Sequence, residues 1–409
     1  MRAEQGRTAG ALAALALVIA AAPLAAQQAR LYRDGGEQVR ELRGSIPLHA
    51  PVRLEVVAQL GTITLRGVSG AALGYRLRVE APASPGAIAY LDAWPVRISR
   101  LDRTVTVLIG TPAGAADPAP RGEFQRRELQ RGQLTLELTV PRMVVRLAAS
   151  TAVGNIRADQ LAMPIWIATR AGDINAGTVA GTLQAQSGSG DIVIEHADAV
   201  EAHAAGAIRL GRADGAVLLG TSGGEVSVRS AGAGVRITSD GGGIDIGQAA
   251  GPVVAYSQGG NIRLGEALAR AELHTLGGNI LVESAHQLQC ATRSGDIRLL
   301  RLQDGVEAQT RSGRIEAVFA PHAQLAASEL VSEGGAVTVT LPPSVGAEVR
   351  AQIRSSAGHQ IVGDYPALLA TVASTALNPG WVQARAPLNG GGPNLWLLSV
   401  GADITIHKP

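Results

Sequence analysis

The sequence predicts an all-β protein, a single-stranded parallel β-helix or β-solenoid of about 18 residues per coil. Three observations lead there. A short phrase returns at a nearly constant interval through the middle of the chain. Around it, apolar and other residues alternate in runs of four to five, the period of a half-buried strand. The composition is 46% hydrophobic but only 3% aromatic, with 51 Gly among 409 residues. Such a chain builds its core from Ala, Val, Ile and Leu in thin, regular layers. Wholesale disorder is excluded by the hydrophobic content and collagen by the lack of a three-residue Gly period.

The first element is an address. In residues 1–26, Arg2 and Arg7 precede an almost wholly apolar run over 9–22, Pro23 and small residues. This is the pattern of a secretory signal peptide, with cleavage expected near Ala26–Gln27. The run is shorter than the ~20 residues of a membrane span. No later stretch approaches one. The expectation is an exported protein (periplasmic, cell-surface or secreted) whose mature chain has no transmembrane segment.

Residues 27–150 carry strand patterns irregularly. GTITLRGV at 61–68 reads as one repeat turn and strand, and 96–110 and 134–141 read as strands. Between them, 111–133 is rich in Pro and Ala and then charged, an expected exposed loop. Its Arg121, Arg126, Arg127 and Arg131 alternate with Glu123 and Glu128, the mark of a solvated mixed-charge segment.

The regular region is 151–340. The phrase is Gly, a turn residue, Ile or Val, any residue, then an aliphatic or Ala. Its first aliphatic falls at Ile156, Ile174, Ile192, Ile208, Val226, Ile244, Ile262, Ile280, Ile297, Ile315 and Val337, in steps of 18, 18, 16, 18, 18, 18, 18, 17, 18 and 22. Each unit has a second alternating run that ends in a hydroxyl residue, such as VRITS at 235–239. Two short strands and their turns fill 18 residues; a helical unit does not fit. Stacked at about 4.8 Å per coil, ten steps give a rod of about 48 Å. Left-handed hexapeptide coils require an aliphatic six residues past the motif position. Only Leu268 supplies a branched one there, so a right-handed winding is favoured.

The columns of this repeat carry further expectations. The paired glycines Gly223–Gly224, Gly241–Gly242, Gly259–Gly260 and Gly277–Gly278 suit a corner with positive φ. The Asn and Asp after the glycine suit the same turn. Thr221, Ser239, Ser257, Thr275, Thr292 and Thr310 line up as a ladder hydrogen-bonded between coils. Cys290 falls in register with Leu219, Ile237, Ala255, Leu273 and Ala308, which makes it an interior space-filler. Residues 341–409 are irregular and rich in Ala and Pro until the pattern returns at Ile404, as expected of a cap over exposed strand edges.

The tandem phrases SGSGDI (187–192) and RSGDI (293–297) resemble those of the bacterial putative-adhesin family, secreted β-solenoids related to head-domain autotransporter adhesins. So do LTLELTVPRMVVRLAASTAVGNI ahead of the first regular repeat, its echo VTVTLPPSVGAEV, and the closing LNGGGPNLWLLSVGADITI. The resemblance covers roughly 50–409. It implies a noncatalytic envelope or surface solenoid, and it carries no catalytic motif.

Charge and motifs narrow the function classes. Lys and Arg number 36 against 34 Asp and Glu, which gives no argument for nucleic acid or an anionic membrane. One cysteine excludes an internal disulfide framework and a Cys-based zinc site. GTSGG (220–224) matches a nucleophile elbow in letters. It occupies a repeat turn rather than a strand-to-helix junction, so Ser222 is not a catalytic candidate. SGSGD lacks the Lys and helix of a phosphate loop, and the calcium nonapeptide pattern is absent. Arg157, Arg209, Arg263 and Arg298 point outward on non-consecutive coils, which does not make a polyanion track. No catalytic, cofactor-binding or metal residues are assigned. Two aspartate pairs one coil apart, Asp173 with Asp191 and Asp198 with Asp214, fit either solvated turns or a weak Ca²⁺ site. The expected role is a noncatalytic exported solenoid that binds a cell-surface glycan or an envelope protein. The alternatives are a polysaccharide lyase or hydrolase on the same scaffold and an envelope-stress sensor domain.

Overall fold

The computed structural model describes residues 28–83, 87, 91, 94, 96–110, 133–354, 358–374 and 380–409. The expected leader lies outside them. So does the expected loop 111–133, apart from Gln133, which opens the strand Gln133–Pro141. The described strands form one large, mostly parallel β-sheet, and among the described residues helix is nearly absent, Pro366–Leu369 being a single turn.

Each repeat phrase opens a strand whose Cα partner is the same position of the next phrase. The ladder runs Ile156, Ile174, Ile192, Ile208, Val226, Ile244, Ile262, Ile280, Ile297, Ile315, Val337. The second strands form a parallel ladder of their own through Leu183, Val200, Val217, Val235, Val253, Ala271, Leu288 and Val306. Two strands per repeat, each paired with its counterpart one repeat on, make the sheet a coil consistent with a solenoid. All eleven motif aliphatics are at most 2% exposed. Each contributes about 1.5–3 kcal/mol by burial. Cys290 lies between Leu273 and Ala308 in the interior ladder. Its burial pushes the thiol well above the ordinary range, so it is an inert space-filler.

The hydroxyl column is an inter-rung ladder onto backbone glycines except at Ser239, whose Oγ donates to Gly242 O of its own turn at 2.9 Å. Thr275 Oγ1 donates to Gly260 O of the preceding rung at 2.9 Å and accepts from Gly278 N of its own turn at 3.1 Å. Thr292 and Thr310 repeat both bonds. Ser187 and Ser332 extend the pattern outward from the middle. Each of these hydroxyls is buried and fully satisfied.

The glycine pairs correct the expectation of positive φ. None of the eight has φ in the left-handed region. The second glycine is required for close approach. A Cβ on Gly242, Gly260 or Gly278 would fall on the carbonyl of the equivalent glycine one rung back. The first glycine meets nothing or only ordinary contacts. Accordingly Ser189, Ser294 and Ser312 stand at the first position, and the second stays Gly190, Gly295 and Gly313.

Both ends share a topology that the repeat does not foretell. Strands Val52–Leu60 and Thr62–Val68 form a rung beneath Val144–Val153 and Ile156–Asp159, with Leu54 on Leu147 and Ile63 on Ile156. The intervening chain builds the next rung outward, Thr104–Ile109 and Gln133–Pro141. Antiparallel strands Ala72–Pro82, Glu37–Pro47 and Gln28–Asp34 then cover it. At the other end, Asn394–Ser399 and Ile404–His407 sit on Ser328–Ser332 and Val337–Thr340. The segment that precedes them in sequence lies further out, as Ala347–Arg354, Ile361–Gly363 and the antiparallel Trp381–Leu388. The first and last rungs in sequence are thus each held between two neighbours, which shields the coil's edges.

Candidate ligand-binding face

The second strand of each coil turns alternate residues inward to the aliphatic core. The residues between them share one continuous parallel face along the rod. Three aromatics lie on it: Trp166, Tyr256 and Trp396, respectively 38%, 38% and 36% exposed. From the strand of Trp166 to that of Tyr256 is five ladder steps. From Tyr256 to Trp396 is five more. At the strand spacing each interval is about 24 Å.

Between the rings the face carries amides, carboxylates and imidazoles together with Leu218, Arg236 and Val254. Gln184 Nε2 donates to Glu201 Oε2 at 2.8 Å, Arg270 Nη2 donates to Gln289 Oε1 at 2.9 Å, and His274 Nε2 lies 3.1 Å from Glu272 Oε1. These groups are partly exposed and offer free donor and acceptor sites to a hydroxyl-rich ligand.

The face deepens toward its C-terminal end. A groove of about 590 Å³ is lined there by Arg270, Gln289, Asp304, Glu307, Glu329 and Trp396, among others. Glu307 and Glu329 are register partners on adjacent strands, and Glu329 is the partner of Trp396. This is the aromatic-plus-carboxylate grouping that the Asp pairs do not make. Sequence reasoning missed it because outward positions follow no period, and Trp396 joins Glu329 only through the return of the last rung. A shallower hollow beside it includes Tyr256, His274, Gln309 and Arg311.

The aspartate pairs have a structural use. Asp173 Oδ1 accepts from Asp191 N at 3.0 Å, and Asp191 Oδ1 accepts from Ala207 N at 2.8 Å. Asn155, Asn261, Asn279 and Asp296 do the same for the next rung. The Asx column is therefore a second inter-rung ladder, and one oxygen of each of Asp173, Asp191 and Asp296 serves the backbone. Asp214 instead pairs with Arg212 at 2.8 Å and His196 at 3.0 Å. The Arg212 hydrogen bond, followed by that of His196, holds its carboxyl below the usual range. Among the described residues no group of three or more His, Cys, Asp or Glu is placed to hold a metal ion. Ser222 lies in its repeat turn, as expected.

No family model matches the chain, and no curated protein does. Solved structures do show similarity. One is a putative adhesin from Parabacteroides merdae, 12% identical over 74% of this chain and 96% of that one, with TM-score 0.25. A second is a putative adhesin from Bacteroides fragilis, 13% identical over 73% and 95%, with TM-score 0.18. A third is a putative lipid binding protein from Parabacteroides distasonis, 12% identical over 75% and 98%, with TM-score 0.24. The first two bear the name of the family that the repeat phrases resemble. Among the described residues no helix is long and apolar enough to cross a membrane.

Proposed function

We propose that this chain is an exported, noncatalytic β-solenoid that binds an extended glycan at the cell envelope along the face of Trp166, Tyr256 and Trp396. The observation that carries this reading is the placement of three partly exposed rings at five-rung intervals on one face, Trp166 and Trp396 in one column and Tyr256 two residues along its strand, with amides and carboxylates among the residues between them. Aromatic rings stack on the apolar faces of sugars, and planar polar groups satisfy their hydroxyls. A chain laid along the rod meets a new rung about every 4.8 Å, so neighbouring sugar units contact successive strands.

In this reading residues 1–26 are the export leader and 27–150 the N-terminal cap with its loop. Residues 151–340 are the regular coil and 341–409 the C-terminal cap. The coil winds right-handed, the hand that crossovers between parallel strands adopt. The test is binding of purified protein to an array of envelope and capsular polysaccharides. Binding that falls with Trp166→Ala, Tyr256→Ala and Trp396→Ala supports the proposal. Binding to none, or binding that survives the triple variant, overturns it.

One observation favours a second reading, a polysaccharide-active enzyme. Glu307 and Glu329 stand side by side next to Trp396 and Arg270, a carboxylate pair of the kind used in glycoside cleavage. Chain cleavage by the native protein that disappears in Glu307→Gln or Glu329→Gln would establish it in place of the first.

A further inference from the structure

Beyond Trp396 the face changes sign. In register with Trp396 on the next strand outward is Arg350, and paired with Arg350 on the strand after that is Arg385. The line along the rod therefore reads Glu329, Trp396, Arg350, Arg385. A pocket of about 380 Å³ opens here, lined by Arg350, Gln352, Thr371, Gln383, Arg385 and Trp396, with no carboxylate on its wall.

The two arginines differ in their partners. Arg385 Nε donates to Glu348 Oε1 at 2.7 Å, and its backbone N–H donates to Thr371 Oγ1 at 3.0 Å. Among the described residues Arg350 has no ion-pair partner, and its Nε is shielded from solvent without a hydrogen-bond acceptor. An unsatisfied, shielded donor on a charged group is costly unless something completes it. The surrounding sequence does not: between Glu348 and Asp403 the only acidic residue is Asp364, and Asp364 is bound to the backbone of Lys408 and the ring of His407.

We propose that this pocket is a subsite for an acidic sugar, a uronic-acid-type residue. Its carboxylate takes the Arg350 guanidinium, its ring lies on Trp396, and Gln352 and Gln383 receive its hydroxyls. Arginine presents a planar fork that matches a carboxylate with two hydrogen bonds. The pocket volume is at the scale of a site for one small ligand. The proposal rests on the glycan reading above and adds to it the charge of the sugar that is recognised.

The test is calorimetric titration of the purified protein with a trimeric oligouronate and with the neutral trimer of the same linkage. Wild type binds the uronate more tightly than the neutral trimer by about tenfold or more. Arg350→Gln removes that preference and leaves neutral-chain binding unchanged. Trp396→Ala weakens both. Equal affinity for the two trimers, or a preference that persists in Arg350→Gln, overturns the acidic subsite alone. Failure of every chain, neutral or acidic, long or short, overturns the glycan reading with it.

Discussion

Ser257 donates its hydroxyl to the Gly242 carbonyl of the preceding rung at 3.0 Å and, in the same place, accepts the Gly260 N–H at 2.9 Å. One fully buried side chain thus ties two consecutive corners of the coil. Ser257→Ala removes both bonds at a part-buried corner, where the Gly242 carbonyl keeps the Ser239 hydroxyl at 2.9 Å, and should cost about 1 kcal/mol. Ser257→Thr should be close to neutral, because Thr275, Thr292 and Thr310 make the same two bonds in the same column. Chemical denaturation of both variants checks the pair.

The glycine pair beneath that hydroxyl gives a sharper contrast. A Cβ on Gly259 comes no nearer than 3.5 Å to its neighbours, whereas one on Gly260 collides with the backbone of Gly242 and Gly243. Gly259→Ala should change stability by less than about 0.5 kcal/mol. Gly260→Ala should cost about 1–3 kcal/mol or more, since a strand or a corner must move. Similar midpoints in urea for the two variants would contradict the close-approach account.

Inward and outward positions one residue apart should respond very differently. Ile262 is 1% exposed between Ile244 and Ile280. Ile262→Asp should cost over about 3 kcal/mol, because it places an unpaired carboxylate in hydrocarbon. Arg263 is outward and pairs with Glu283 at 2.6 Å, both partly exposed. Arg263→Ala should leave the unfolding midpoint almost unchanged, as exposed ion pairs add little stability. Thermal or chemical unfolding of the two proteins decides it.

The repeat was legible because the interior imposes a two-residue alternation and the coil imposes an interval near 18. Ile156 through Val337 obey both. The corner glycines were legible in position and misread in cause. Sequence shows that Gly is present, but a turn needing positive φ and a carbonyl of the next coil leave the same letter. Gly242 and Gly260 prove to be the second case, and only the stacked neighbour reveals it. The ends were legible as irregular sequence, whereas the placing of Ile404 on Val337, with Ala347–Arg354 further out, depends on non-local pairing. The candidate face was least legible. Solvent sets no period on outward residues, and Glu329, Trp396 and Arg350 become neighbours only through that same return.

The C-terminal tether should be acid-sensitive. Asp364 Oδ2 accepts the backbone N–H of Lys408 at 3.0 Å and contacts His407 Nδ1 at 3.2 Å. The Lys408 backbone bond, followed by the His407 contact, holds this carboxyl below its ordinary range. A carboxyl lowered in the folded state stabilises above its unfolded pKa and stops doing so as pH falls through the folded value. Amide hydrogen exchange over 404–408 should therefore quicken, once corrected for intrinsic rates, as pH drops from 5 to 3. In Asp364→Asn the corrected exchange should change little over the same interval.

The rod itself can be measured directly. Spin labels at Arg157, Arg209 and Arg298, in a Cys290→Ala background, occupy equivalent outward positions on the motif ladder. Arg209 and Arg298 are five rungs apart and Arg157 and Arg298 eight, so pulsed electron–electron resonance should give mean separations near 24 and 38 Å, growing by about 4.8 Å per rung. Two similar distances, or a longer one for the nearer pair, would contradict a stacked coil.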